Sequence, residues 1–200
     1  MMEDAEKRIA FENDDPERIG PQISETAEPQ EHEQVYHTTG GKHREYVIRC
    51  LRREETDLLK DFLYEAIFIP EGTEPPAREI LEKPELRVYT DDFGARKGDN
   101  CLVADSEGKA VGAVWTRIMD DYGHVDDETP SFAISLYREY RGQGIGTQLM
   151  ITMLELLKRQ GYKRASLAVQ KANYAVKMYR DVGFTVAGEN DEEYIMIREL

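Results

Sequence analysis

The stretch from Pro130 to Leu157 constrains the fold of this chain of 200 residues more than any other. Ser131 to Tyr137 is short, apolar or small, and follows a proline, which predicts a buried strand. Ile145, Leu149, Met150, Met153, Leu154 and Leu157 recur at helical spacing. Between the two lies a short turn, Arg138 to Gly144, which runs on into Ile145-Gly146. The expected unit is therefore a strand, a glycine-rich turn and a long helix.

A helix N-terminus presents unpaired backbone N–H groups and the positive end of the helix dipole. Glycines around it remove the Cβ atoms that would keep an anion at a distance. The segment reads as an anion cradle suited to a pyrophosphate; an ordinary glycine-rich strand-to-helix turn is the plainer alternative. A Walker loop is excluded, because no lysine follows these glycines. The dinucleotide fingerprint fails in both frames, since Thr147 and Leu149 stand where its third glycine belongs. What remains is Arg/Gln-x-x-Gly-x-Gly/Ala, met by Arg141, Gly144 and Gly146. It resembles the acyl-CoA-binding signature of the GNAT superfamily of N-acetyltransferases.

Composition narrows the partners. The net charge of −14 argues against nucleic acid or an anionic membrane as the main partner. No apolar run approaches the length of a membrane span, the start of the chain lacks a signal-like apolar core, and a cytoplasmic setting is expected. Cys50 and Cys101, each in a strand-like run, are expected to be buried thiols. Residues 1–45 hold twelve Asp/Glu against five Lys/Arg, with isolated apolar residues and three prolines. They read as a flexible acidic tail. The alternative is a segment that docks through Ile9, Phe11, Val35 and Tyr36. The tail histidines His32, His37 and His43 lack metal-ligand spacing, and no metal is expected.

From Tyr46 onward the pattern is that of a folded domain, residues 46–200. A strand over Tyr46 to Leu51 precedes an amphipathic helix marked by Leu58, Leu59, Phe62, Leu63, Ala66 and Ile67, which stops before Pro70. A short helix from Ala77 is expected to end at Pro84. A hairpin follows, Cys101 to Ala104 and Ala110 to Trp115, turning at Asp105-Ser-Glu-Gly108. After an acidic loop, Asp120 to Glu128, comes the strand–turn–helix already described. A strand over Ala165 to Val169, a helix over Asn173 to Asp181 and two final strands complete the chain.

That element order is also the order of GNAT domains. A second block, Asn173, Tyr179 and Gly183-Phe184, resembles the family's Asn-x(5)-Tyr-x(3)-Gly-Phe, and Phe62 to Gly72 with Pro75-Pro76 is similar to a bacterial subgroup of it. The resemblance implies an α/β (α+β) fold with a mixed, V-shaped central sheet of about seven strands, flanked by about four helices. CoA is expected in the opening between the fourth and fifth strands. The implied function is acetyl-CoA-dependent N-acetyltransferase, moving an acetyl group to a primary amine by direct attack on the thioester. A catalytically inactive acyl-CoA-binding sensor or interaction module is the alternative. The acceptor would be a small-molecule or peptide amine, and a homodimer is left open.

The resemblance makes Tyr179 the catalytic acid that protonates the departing sulfur; the plainer reading is a core tyrosine. The cofactor positions it implies are Leu136, Arg141, Gly142, Gln143, Gly144, Ile145, Gly146, Thr147 and Asn173. Leu136 would offer backbone groups to the pantetheine arm, and the amides of Gln143 to Gly146 would take the pyrophosphate. Asn173 would bond the pantetheine or cap its own helix. Arg141 would add charge or cover the turn with its stem. The chain departs from the family pattern at Arg138, where a proline is common, and in having no carboxylate on the fourth strand. The general base is therefore unassigned, with Glu65, His124 and Asp126 as candidates by position.

Overall fold

The computed structural model describes residues 35–38, 44–70 and 72–200. The chain divides into a unit Met1–Glu31, outside the described residues, and a unit His32–Leu200, to which all that follows belongs. Among the described residues the elements are strands β1 (Val35–His37) and β2 (Glu45–Cys50), helices α1 (Leu58–Ala66) and α2 (Pro84–Arg87), and strands β3 (Asn100–Ser106), β4 (Lys109–Arg117) and β5 (Ser131–Leu136). Helix α3 (Ile145–Arg159), β6 (Arg164–Gln170), α4 (Ala175–Asp181), β7 (Thr185–Glu189) and β8 (Glu193–Glu199) complete them. Short 3-10 turns cover Arg53–Glu55, Arg78–Glu82 and Arg138–Tyr140.

The strands form one mixed sheet in the order β1-β2-β3-β4-β5-β6-β8-β7. Neighbours are antiparallel except β5 and β6, which run parallel. Both faces of the middle strands are covered, so their apolar runs are continuous. Leu102 and Ala104 face a core shared with α3 and α4, while Cys101 and Val103 face a second core under α1. Leu59, Phe62 and Leu63 of α1 fill that second core around the fully buried Trp115. Each such large apolar side chain contributes about 1.5–3 kcal/mol by burial.

Two expectations are corrected and one is extended. The short helix after Ala77 is a 3-10 turn over Arg78–Glu82 that ends before Pro84 as expected, and Pro84 then opens α2, where its missing N–H has no partner to lose. The hairpin turn is tighter than expected: Glu107 and Gly108 both take positive φ, 55° and 80°, as a two-residue turn requires. Cys50 is exposed, not buried; it ends a strand whose outer face carries less cover.

The expected acidic tail lies mostly outside the described residues, but its last part is seen. Val35–His37 pairs antiparallel with β2, and Tyr36 stacks on Tyr46 with ring centroids 5.5 Å apart. The sheet thus begins before residue 46.

One buried ion pair fixes the long loop between α2 and β3. Arg117, at the end of β4, is fully buried with Asp99. Its Nε and Nη2 donate to Asp99 Oδ1 and Oδ2 at 2.7 and 2.9 Å. Its Nη1 donates to the carbonyls of Val88 and Asp91 at 2.8 and 2.7 Å. The carbonyls it holds flank Tyr89, which belongs to the site described next.

Candidate functional site

Strands β5 and β6 meet at one pair of residues, Ser131 and Ser166, with Ser166 N–H donating to Pro130 O at 3.0 Å. Beyond it toward their C-terminal ends they separate, and the sheet is V-shaped. On its other side β5 stays paired to β4 from Arg117↔Ser131 to Gly112↔Leu136. Tyr137 N–H donates to Val111 O at 3.0 Å. An antiparallel ladder alternates, so the backbone groups of Ile134 and Leu136 turn away from β4 and into the gap.

A cavity of about 1010 Å³ occupies this gap and continues under α1 and the segment after it. One wall is β5, one is β6 with α4, and one is Leu63 to Pro70. At its open end the chain turns into α3 through Gly142 and Gly144, both with positive φ, 71° and 82°. Gly144 is the residue that caps α3, and its left-handed conformation strains any side chain. Gly146 is needed for a different reason. A Cβ there would sit 3.3 Å from Leu136 Cδ1 and 3.4 Å from Met178 Sδ. The absent Cβ lets the first turn of α3 approach β5 and α4 closely, with its unpaired N–H groups beside the gap.

The sequence-derived residues distribute as follows. Leu136, Arg141, Gly142, Gly144, Gly146, Thr147, Asn173 and Tyr179 line the cavity. Gln143 and Ile145 do not: Gln143 Nε2 donates to Glu139 O at 2.7 Å, and the Ile145 side chain lies in the core. Arg141 is a strut. Its Nε donates to Leu136 O at 2.8 Å, and its Nη2 to Glu65 O and Oε2 at 3.1 and 2.7 Å. It joins the end of β5 to the end of α1, and Glu65 balances its charge. Asn173 Oδ1 accepts from Ala175 N–H at 2.9 Å, which is the capping role.

Tyr179 fits both of its readings at once. Its ring packs edge-on to Phe184 in the core, with centroids 6.2 Å apart, and the residue lines the cavity. Burial raises the pKa of its phenol above the ordinary value, with a smaller contribution from Tyr174. The phenol therefore keeps its proton throughout the neutral range.

Of the three candidate bases, Glu65 lines the cavity but is paired with Arg141. His124 Nδ1 lies 2.9 Å from Met119 O, and Asp126 pairs with Arg164 at 2.6 Å; neither lines the cavity. Tyr64, Tyr89, Tyr122, Tyr174 and Glu193 line it and were not singled out from sequence. Tyr122 and Tyr174 are 55% and 72% exposed, which makes them an aromatic rim. A run of aromatics scattered over 110 residues carries no local signal; they converge only through the sheet.

A split parallel pair, a glycine-turned helix N-terminus at its open end and a tyrosine on its wall define an α/β scaffold that receives an extended phosphorylated ligand. The chain belongs to the acetyltransferase (GNAT) family, whose model matches residues 63–184. It is similar to human N-acetyltransferase 8B, 29% identical over 113 residues, which are 56% of this chain and 50% of that one. An N-acetyltransferase of Archaeoglobus fulgidus is 29% identical over 136 residues, 64% of this chain and 87% of that one. The fold is shared with the PaiA N-acetyltransferase of Thermoplasma acidophilum, solved in complex with coenzyme A. The TM-score is 0.58 at 20% identity, covering 76% of this chain and 98% of that one. This chain spans about half the length of the mammalian relatives it matches.

Proposed function

We propose that the protein is an acetyl-CoA-dependent N-acetyltransferase acting on a primary amine. The observation that carries this reading is the glycine-turned start of α3 placed at the open end of the β5/β6 split. Acetyl-CoA, when bound, supplies an acyl carbon activated by a good leaving group. The residues present fit such a donor. The first N–H groups of α3 stand beside the gap, with no Cβ at Gly144 and with the helix brought close to β5 and α4 by the missing Cβ of Gly146. The backbone of Ile134 and Leu136 offers ladder hydrogen bonds to an extended arm laid along β5. Arg141 occupies the carbonyl of Leu136 and so fixes the strand's end rather than the ligand's charge.

The neutral amine attacks the acyl carbon, the C–N bond forms and the C–S bond breaks. Tyr179, kept protonated by burial, gives its proton to the departing sulfur. The acceptor enters from the side of the exposed Tyr122 and Tyr174, and Glu193, also on the cavity lining, adds a negative charge suited to a cationic amine.

Gly146→Val tests the donor site. The added side chain would meet Leu136 and Met178 and fill the approach to α3, and acetyl-CoA affinity by calorimetry should fall by at least about tenfold, or 1.4 kcal/mol. Unchanged affinity in the folded variant refutes the cradle. Tyr179→Phe tests the chemistry: kcat should drop about 10²–10³-fold, with donor affinity kept. A chain that binds acetyl-CoA but releases no CoA thiol with any amine would instead be a binding module.

A further inference from the structure

A second hydrogen-bonded cluster lies where β5 and β6 part. Tyr89, from the loop after α2, lines the cavity, and its hydroxyl donates to Asp121 Oδ2 at 2.9 Å. Ser131, the β5 residue paired with β6, donates its hydroxyl to the same oxygen at 2.7 Å. Asp121 Oδ1 is buried without a hydrogen bond of ordinary geometry. The backbone N–H groups of Asp121 and Gly123 lie near enough only to favour the carboxylate's charge slightly. The loop that carries Asp121 is wedged in place. A Cβ on Gly123 would lie 2.7 Å from Ser131 Oγ and 2.9 Å from Ala168 N. The carboxylate is thus held at the closed end of the V, about 17 Å along β5 from Leu136 at about 3.4 Å per residue.

We propose that Tyr89 and Asp121 form a proton relay that neutralises the acceptor amine as it enters the cavity. The proposal rests on the transferase reading, and it supplies the base that β5 itself lacks. The incoming ammonium gives a proton to Tyr89 Oη, and the proton Tyr89 already carried moves along its hydrogen bond to Asp121 Oδ2. A neutral amine, a neutral tyrosine and a carboxylic acid result. The amine's second N–H proton, shed as the C–N bond forms, balances the one Tyr179 gives to the sulfur. Asp121 returns its proton to solvent before the next turn.

The surroundings suit this. Burial raises the Asp121 pKa above the carboxylate norm, while the bonds from Ser131 and Tyr89 act in the opposite, lesser sense. A carboxyl with a raised pKa accepts a proton more readily near neutral pH than an exposed one. Burial raises the Tyr89 pKa as well, followed by the charge of Asp121, so its hydroxyl is a conduit and not a store. The other groups facing the pair are Tyr122 of the same loop and Glu193 of β8, both of which act on Tyr89 in the same direction. His124, in that loop, is turned to the carbonyl of Met119.

The test is the pH profile of kcat/KM for Asp121→Asn and Tyr89→Phe with an alkyl amine acceptor. Without the relay only amine that is already neutral reacts, and such an amine has a pKa of about 10.4. Both variants should lose about 10²–10³-fold at pH 7 and recover toward wild type as pH approaches that value. Acetyl-CoA affinity by calorimetry should stay unchanged. A role confined to packing would lower activity equally at every pH. Tyr89→Phe removes one oxygen and keeps the ring, so it reports even where Asp121→Asn folds poorly. Profiles of wild-type shape in both variants, with turnover intact, overturn the relay alone. Donor binding without turnover of any amine by the wild-type chain overturns the relay together with the transferase reading.

Discussion

Replacing Arg117 by methionine separates a structural charge from the chemistry beside it. The guanidinium is fully buried, and removing it strips partners from three acceptors at once: Asp99 and the carbonyls of Val88 and Asp91. Breaking a buried pair from one side costs about 3–5 kcal/mol, because the remaining charge is left uncompensated. Asp99 Oδ2 keeps the backbone N–H groups of Gly94 and Arg96, at 2.8 and 3.1 Å, which favours the lower half of that range. For a chain of this size each kcal/mol moves Tm by about 2–4 °C, so a fall of about 6–16 °C is expected. Urea unfolding followed by circular dichroism gives the free energy directly. Adding Asp99→Asn should recover at least about 1 kcal/mol, since the stranded charge is then gone. A single variant that costs under about 1 kcal/mol, or a pair whose effects simply add, would refute the reasoning. Because the released carbonyls flank Tyr89, kcat should fall further than the residual folded fraction explains.

Two further outcomes follow from other contacts. Arg49 grips Glu55 through two bonds of 2.7 Å and holds its carboxyl below the usual value of 4.5. The folded pKa is depressed, so the stabilisation is complete above pH 4.5 and is lost as pH falls through the depressed value. The Tm gap between wild type and Glu55→Gln should therefore close on acidification; a gap that widens there would contradict the pairing. Removing residues 1–34 should leave Tm unchanged, whereas removing 1–38 also takes β1 off β2. Loss of the Tyr36–Tyr46 stack is worth about 0.5–1.5 kcal/mol, or about 1–6 °C, and equal melting of both truncations would contradict that.

Local pattern carried the strands and long helices well, because apolar alternation and helical spacing report burial directly. Helix α3 begins at Ile145 as the spacing of Leu149, Met150 and Met153 requires. Where sequence reading fell short, the deciding contact was distant in the chain. Val35–His37 looked like tail until β2 gave it a partner. Arg141 could add charge or cover the turn, and only its bond to Glu65, 76 residues away, shows what it is paired with. Asp121 was one acid in an acidic loop. Only its bonds to Tyr89 and Ser131, 32 and 10 residues off in sequence, mark it as buried and partnered.

The split between β5 and β6 gives the sheet two inner edges. Backbone groups of Ile134 and the N–H of Leu136 face the gap in the middle of the fold, as those of an outermost strand would, while Arg141 holds the Leu136 carbonyl. On the proposed reading, a donor arm laid along β5 closes that row and makes the sheet continuous. The ligand thus acts as a removable strand, and its concentration sets how often the row is left open. Another peptide strand that reached the row would find the same hydrogen bonds.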